Sequence, residues 1–235
     1  MTVWWNWWAK SPPYVAIDKG YDMRGFVCAV LVVVSAGICV CWAVAPEPAA
    51  TPRPGQWTVD TRFTHPQQIL VRVGPDDTPQ RFWYSIITLT NNANREVDFY
   101  PKCELMTDTF EITAAGKTVT PSVFAAIKNR HNSVYPFLES LEQTSSKILR
   151  GEDNTKDIAV IWPDFDAQAK QIKLFITGLS NESAMVDHPV AKDKDGNPLK
   201  VFLRKTLELT YDLQSDPAMR TDANLVYKAK RWVMR

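Results

Sequence analysis

Hydrophobic and polar positions along this chain follow two regimes. Gly25 to Ala45, GFVCAVLVVVSAGICVCWAVA, carries no charged residue. Beyond it, apolar residues come in short bursts, mostly at a period of two, separated by Gly, Pro, Asn and Asp. At about 1.5 Å per helical residue the first run is about 30 Å long, the thickness of a bilayer's hydrocarbon core. It predicts one transmembrane helix. A buried core helix would not be apolar on every face over that length. A cleaved leader fits badly, because about 24 residues precede the run and Ala43-Val44-Ala45 is followed by Pro46. Cys39 and Cys41 follow Ile38 and Val40, where a lipidation signal wants a small residue.

The period-two bursts predict strands at 68–73, 81–90, 96–100, 103–112, 156–162, 171–177, 200–213 and 224–233. Within 103–112, Leu105, Phe110 and Ile112 are expected to point inward, and Ala-Ala-Gly-Lys to close a hairpin. Two stretches break the period. Pro121 to Arg130 places Val123, Phe124 and Ile127 on one helical face behind an N-terminal proline. Tyr135 to Leu141 reads as a further short helix. Strands joined by turns, with one helical insertion, predict an immunoglobulin-like β-sandwich of seven to nine strands, the insertion crossing an open end or edge. The Cys…Trp…Cys pattern of antibody-type domains is absent. The chain resembles single-pass bacterial proteins with an exported immunoglobulin-like domain in architecture only.

The expected organisation is therefore a Trp-rich segment (1–24), the transmembrane helix (25–45), a Pro-rich linker (46–57) and a sandwich domain (58–235). PEPAATPRPG cannot continue the helix and is expected to run extended, lifting the domain off the membrane. Lys10, Lys19 and Arg24 precede the helix, whereas Arg53 is the first basic residue after it. That asymmetry predicts a cytoplasmic N-terminus and a periplasmic or otherwise exported domain on an inner, cytoplasmic membrane. Trp4, Trp5, Trp7 and Trp8 crowd into five positions, more than interfacial anchoring needs, and fit a protein-docking surface as well. Ala29, Ser35, Ala36 and Gly37 give the helix small surface against which another helix can pack.

Charge narrows the partners. Setting aside Lys10, Lys19, Arg24, Asp18 and Asp22 from totals of 27 basic and 26 acidic residues leaves 24 of each in the remainder. A neutral domain without a basic stripe is not a nucleic-acid binder. Of four cysteines, Cys28, Cys39 and Cys41 fall in the apolar run, so the domain holds only Cys103 and no internal disulfide. A buried thiol acting as a small hydrophobe is the favoured reading, with an intermolecular disulfide as the other.

Candidate chemistry is sparse. His65, His131 and His188 are far apart, and two of them precede proline. A copper site from Cys103, Met106 and His131 has suitable ligand softness but no paired motif. Asp193-Lys-Asp195-Gly196-Asn197 begins like a calcium loop, yet its twelfth position is Arg204 rather than Glu, so it reads as a hairpin turn. Asp164 and Asp166, beside Trp162, lack a facing partner for acid–base work and read as turn caps. No nucleophile elbow or phosphate loop occurs, with nine glycines in all. Asn181-Glu-Ser matches a glycosylation acceptor. No catalytic residue, metal or cofactor is therefore predicted. The expected role is a non-catalytic accessory subunit of a larger membrane complex, respiratory or photosynthetic in kind. Its partners are the bilayer and the complex's other subunits, met through Trp4, Trp5, Trp7, Trp8, Ala29, Ser35, Ala36 and Gly37. The alternative is a membrane-anchored metallochaperone or assembly factor using Cys103.

Overall fold

The structure, a computed structural model, describes residues 45–49, 53–74, 77–214, 216 and 225–235. The expected transmembrane helix, apart from Ala45, and the expected partner-binding residues from Trp4 to Gly37 lie outside them. Among the described residues no helix is long and apolar enough to cross a membrane.

Those residues form a mainly β unit. Its elements are β1 (Asp60–Phe63), β2 (Gln67–Val73), β3 (Thr78–Thr90), β4 (Val97–Asp98), β5 (Lys102–Thr107), β6 (Ile112–Ala114) and α1 (Pro121–His131). They continue with β7 (Glu139–Ser140), β8 (Lys147–Ile148), β9 (Lys156–Pro163), β10 (Gln171–Thr177), β11 (Ser183–Lys192), β12 (Pro198–Asp212) and β13 (Val226–Met234). One sheet runs β1-β3-β9-β7, with β2 also on β3. The other runs β11-β12-β10-β5-β6, with β13 also on β12, and β4 and β8 form a small ladder. This arrangement is compatible with a β-sandwich.

Alternation decides what each sheet faces. From β3, Trp83, Ile87 and Leu89 join Ile158, Val160 and Trp162 of β9 in one core with Cys103, Leu105, Ile172, Leu174, Ile176, Leu207, Leu209 and Tyr211 of the other sheet. The opposite residues of β3, Phe82, Tyr84 and Ile86, form a second core with Ile69, Ala159, Ile161, Leu138 and the Val123 and Ile127 of α1. β3 is therefore buried on both faces, which explains its unbroken run of aromatic and β-branched residues. The helical insertion, expected at an end or edge, instead covers the outer face of this sheet. Pro121 starts it where an N–H is not needed, and Val123 and Ile127, four apart, share the buried stripe while Phe124 is only partly covered.

β1 and β2 are one strand broken by a bulge. Phe63 pairs with Ile87 and Gln67 with Tyr84, so four steps on one side match three on the other. Pro66, which has no N–H to give the ladder, sits in the break.

Several expectations change. The strand beginning near Cys103 ends at Thr107, because Thr107 closes a tight turn with Glu111 at 3.0 Å and puts Phe110 at φ 66°. Leu105 points inward as expected, but Phe110 and Ile112 are exposed. The residues 135–141 are not a helix: Pro136 interrupts them, and Glu139 and Ser140 pair parallel to Ile158 and Ala159. The segment 96–100 contributes only the short β4, and the turn after β6 leads into α1 rather than closing a hairpin.

Candidate functional site

The connection leaving β10 organises one end of the domain. Gly178 makes the turn at φ +94°, with the Tyr100 carbonyl 2.7 Å from where a Cβ would stand, so only glycine fits. The next residues, Ser180, Asn181 and Glu182, then hold the Pro-rich linker at several points. Ser180 Oγ donates to the Trp57 carbonyl at 2.7 Å, and Asn181 Oδ1 accepts the Trp57 N–H at 2.8 Å. Asn181 Nδ2 donates to the Gly55 carbonyl at 3.0 Å. Glu182 Oε1 accepts the Ala49 N–H at 2.6 Å. The described linker residues are stitched to the domain, not held clear of it.

Glu182 is the strongest of these fasteners. It is buried, and Lys205 Nζ, buried with it, donates to its Oε2 at 2.9 Å. Burial pushes the Glu182 carboxyl up, but the Ala49 N–H and the Lys205 ammonium outweigh it and hold the group below the ordinary carboxylate range. The Lys205 ammonium also lies 5.3 Å from the centre of the Trp232 ring. Ala45, Pro46, Glu47, Pro48 and Ala49 line an open depression of about 570 Å³ with Lys205, Arg231, Trp232, Val233 and Met234. Ala45, where the apolar run ends, is thus seated at this end of the second sheet.

Beyond the same point β11 and β12 leave the sandwich as a two-stranded arm. Met185 pairs with Phe202, Val186 with Val201 and Asp187 with Lys200. Lys205 and Leu207 face the core, so Leu203, Val201 and Leu199 continue that apolar face outward, opposite Ala184 and Val186. None of the five is buried. On the other face Met185 is 59% exposed and Phe202 70%. One face of the arm is therefore apolar and half-buried, and the other sets exposed Met185 and Phe202 among Ser183, Arg204 and the ion-paired Asp187 and Lys200. The tip closes as the sequence predicted. Asp193 Oδ1 accepts the N–H groups of Asp195 and Asn197 at 2.9 Å each, so the calcium-like residues cap a turn. Just before it, His188 Nδ1 accepts the Val190 and Ala191 N–H groups at 3.1 and 2.7 Å, where the ladder register shifts.

The other candidate residues are placed apart or already employed. Cys103 is free and buried in the inter-sheet core, and burial pushes its thiol up to about 12. Met106 lies on the opposite face of β5, and His131 belongs to α1 on the far side of the other sheet. The copper triad is not assembled, and the described residues contain no group of three metal-ligating side chains. Asp164 Oδ1 accepts the Trp83 indole N–H at 2.9 Å, with Arg81 at 3.7 Å from its other oxygen. Asp166 caps its own turn through the Gln168 N–H at 2.8 Å and accepts the Thr109 hydroxyl. His65 bonds the Tyr211 hydroxyl at 3.2 Å inside an aromatic group with Phe63 and Tyr227. A maleimide is expected to label Cys103 of the folded chain at neutral pH far more slowly than that of the denatured chain. Equal rates would show the thiol to be reachable.

His131 meets the buried Tyr84 hydroxyl at 2.8 Å, and that hydroxyl also reaches Gln67 at 2.9 Å. Desolvation, aided by the Arg130 guanidinium, lowers the His131 pKa, so the fold favours the neutral ring. Its contribution is complete above the unfolded value of about 6.5 and is lost as pH falls through the lower folded value. The melting temperature should drop more between pH 7 and pH 5 in wild type than in His131→Gln. Parallel curves would remove the histidine from the pH response.

Sequence reasoning missed the linker clamp and the arm's exposure. Lys205 and Glu182 look like surface residues in the sequence, and they are buried where the Lys205 N–H meets the Glu182 carbonyl at 3.0 Å, with Ala49 of the linker on the carboxylate and Trp232 of β13 against the ammonium. The fold and site define a mainly β domain fastened to its own linker, with one projecting arm. Comparison with family models, with curated proteins and with solved structures finds no match.

Proposed function

We propose that this chain is a non-catalytic accessory subunit of a membrane complex, anchored by Gly25–Ala45 with its N-terminus cytoplasmic and its domain on the exported side. The strap carries the reading. The residue that ends the apolar run begins a segment hydrogen-bonded into the domain, which suits a domain held close to a membrane rather than one floating on a linker. The projecting arm, with Met185 and Phe202 exposed on it, gives such a subunit surface to use beyond its own core. The domain reads as immunoglobulin-like. β2, β3 and β9 correspond to an A-B-E sheet and β5, β10 and β12 to a C-F-G sheet, with β13 added outside the last strand. Trp83 and Trp162, paired across β3 and β9, are both buried in the core that this sheet shares with the other. The alternative, a metallochaperone using Cys103, draws no support from a thiol buried away from Met106 and His131.

Isolation of the tagged full chain in mild detergent tests the proposal. Stable co-purification with other membrane subunits is expected. Replacing Trp4, Trp5, Trp7 and Trp8 with Ala, or Gly37 with Leu, should weaken that association while the domain stays folded. A lone monomer would overturn the accessory role, and one holding copper stoichiometrically would establish the alternative.

A further inference from the structure

We propose that the β11–β12 arm is a second, peripheral membrane contact, lying at the headgroup–acyl boundary of the bilayer from which the chain emerges. The inference rests on the anchored reading above. Chain continuity supplies the geometry: if the apolar run spans the membrane, its last residue, Ala45, is at the bilayer surface. Ala45 lines the same depression as Lys205, Val233 and Met234. Lys205 is the residue at which β12 leaves the core and becomes the arm, with Arg204 already beyond it. The root of the arm therefore sits at the membrane surface.

The arm's chemistry matches that position. Met185, Phe202, Val190 and Leu199 are exposed apolar side chains; Lys192, Lys194 and Arg204 stand among them, with Asp193 turned inward to cap the tip, Asp195 beside it, and Lys200 paired with Asp187. Long cationic side chains beside apolar ones can bury their stems and reach phosphate oxygens, the pattern of interfacial segments. Depth is limited by the backbone. The outer edge of β11 has no ladder partner among the described residues, and unpaired amides are not tolerated in hydrocarbon, so the arm lies in the hydrated interface and does not span. Two alternatives fare worse. Edge-to-edge pairing with a second copy is obstructed by the register shift and the His188 cap at Val190 and Ala191. Face-to-face pairing of two-stranded arms offers roughly a few hundred Å² per partner, well under the ~800 Å² of a standard stable interface. A bilayer needs less, because the anchor already holds the arm at high local concentration.

The test uses the full chain with Cys28, Cys39 and Cys41 changed to Ala, reconstituted into phosphatidylcholine–phosphatidylglycerol vesicles. An environment-sensitive fluorophore is attached through Phe202→Cys, or separately through Val190→Cys. Phe110→Cys is the reference, since Phe110 is 85% exposed and its turn follows the other end of β5, beside Gln171. Shallow nitroxide-labelled lipids should quench the probe at 202 and 190 at least threefold more than at 110. Quenching equal to that at 110 would overturn the proposal. Shielding from both lipid nitroxide and aqueous iodide would also overturn it, placing a protein on the arm instead. Alkaline carbonate extraction separates the two readings. Release of the chain refutes the anchor, whereas retention without quenching refutes the arm contact alone.

Discussion

Lys205→Met is expected to destabilise the folded chain by about 3–5 kcal/mol, because it leaves the Glu182 carboxylate buried without its countercharge. Lys205 is also the residue whose ammonium faces the Trp232 ring, so the loss is felt in the wall against which the strap lies. The change should speed proteinase K cleavage next to Ala49, since Glu182 is what fastens that residue. The double variant Lys205→Met with Glu182→Gln should recover much of the stability, as replacing a buried pair with uncharged groups is often near neutral. Denaturant titration of the detergent-solubilised chain measures both. A single variant within about 0.5 kcal/mol of wild type would mean that water reaches the pair and that it behaves as a surface contact. Acid should act in the same direction. The Glu182 pKa is lowered by folding, so its contribution is present above the unfolded carboxylate value of about 4.3 and is lost as pH falls through the folded one.

Trp83→Ala should cost a similar amount, about 3–5 kcal/mol, a large share of the ~5–15 kcal/mol that holds a domain together. The ring is fully buried, lies 5.4 Å from that of Phe165 and gives its N–H to Asp164. Truncation opens a cavity between the sheets and takes the indole's hydrogen bond from that carboxylate at the same time. Its cross-strand neighbour provides the contrast. Trp162 is equally buried, yet its indole nitrogen has no hydrogen-bond partner. Trp162→Phe therefore forfeits volume but no polar contact and should cost less than Trp83→Phe. The reverse order in thermal melts of the two phenylalanine variants would show that packing volume, not the Asp164 bond, dominates at this pair.

Much of the sheet structure was legible because strands half-buried in a sandwich must alternate. The alternation of QIKLFIT located β10 to the residue, and the proline-led stripe of Val123 and Ile127 located α1. What failed were places where a local hydrogen bond overrules periodicity. The stretch from Cys103 to Ile112 alternates unevenly, with Phe110 out of phase with Leu105, and the turn in which Thr107 captures Glu111 leaves Phe110 exposed. The placement of α1 over a sheet face was also hidden. Nothing in PSVFAAIKNR says which surface it covers, and the continuous apolar run of β3, read only as a strand, was the signal that could have shown a sheet covered on both sides. The linker was misjudged for a related reason. Proline content describes how the chain extends, not whether Ser180, Asn181 and Glu182, more than a hundred residues later, will be there to bind it. The residues expected to meet partner subunits lie outside the described part of the chain.

β12 serves the core and the arm as one uninterrupted strand, and the consequence is mechanical. A push on Phe202 reaches Tyr211 along continuous backbone, with no glycine or proline between them to act as a joint. Over its core half, β12 is gripped by β10 on one edge and β13 on the other, so that load is shared in shear by two ladders. The arm is thus a lever rigidly set into the sheet. Whatever it rests against fixes the pitch of the whole sandwich, and with it the direction in which the broad outer face of the second sheet, with Glu104, Phe175, Glu208 and Arg231 in register across it, is presented.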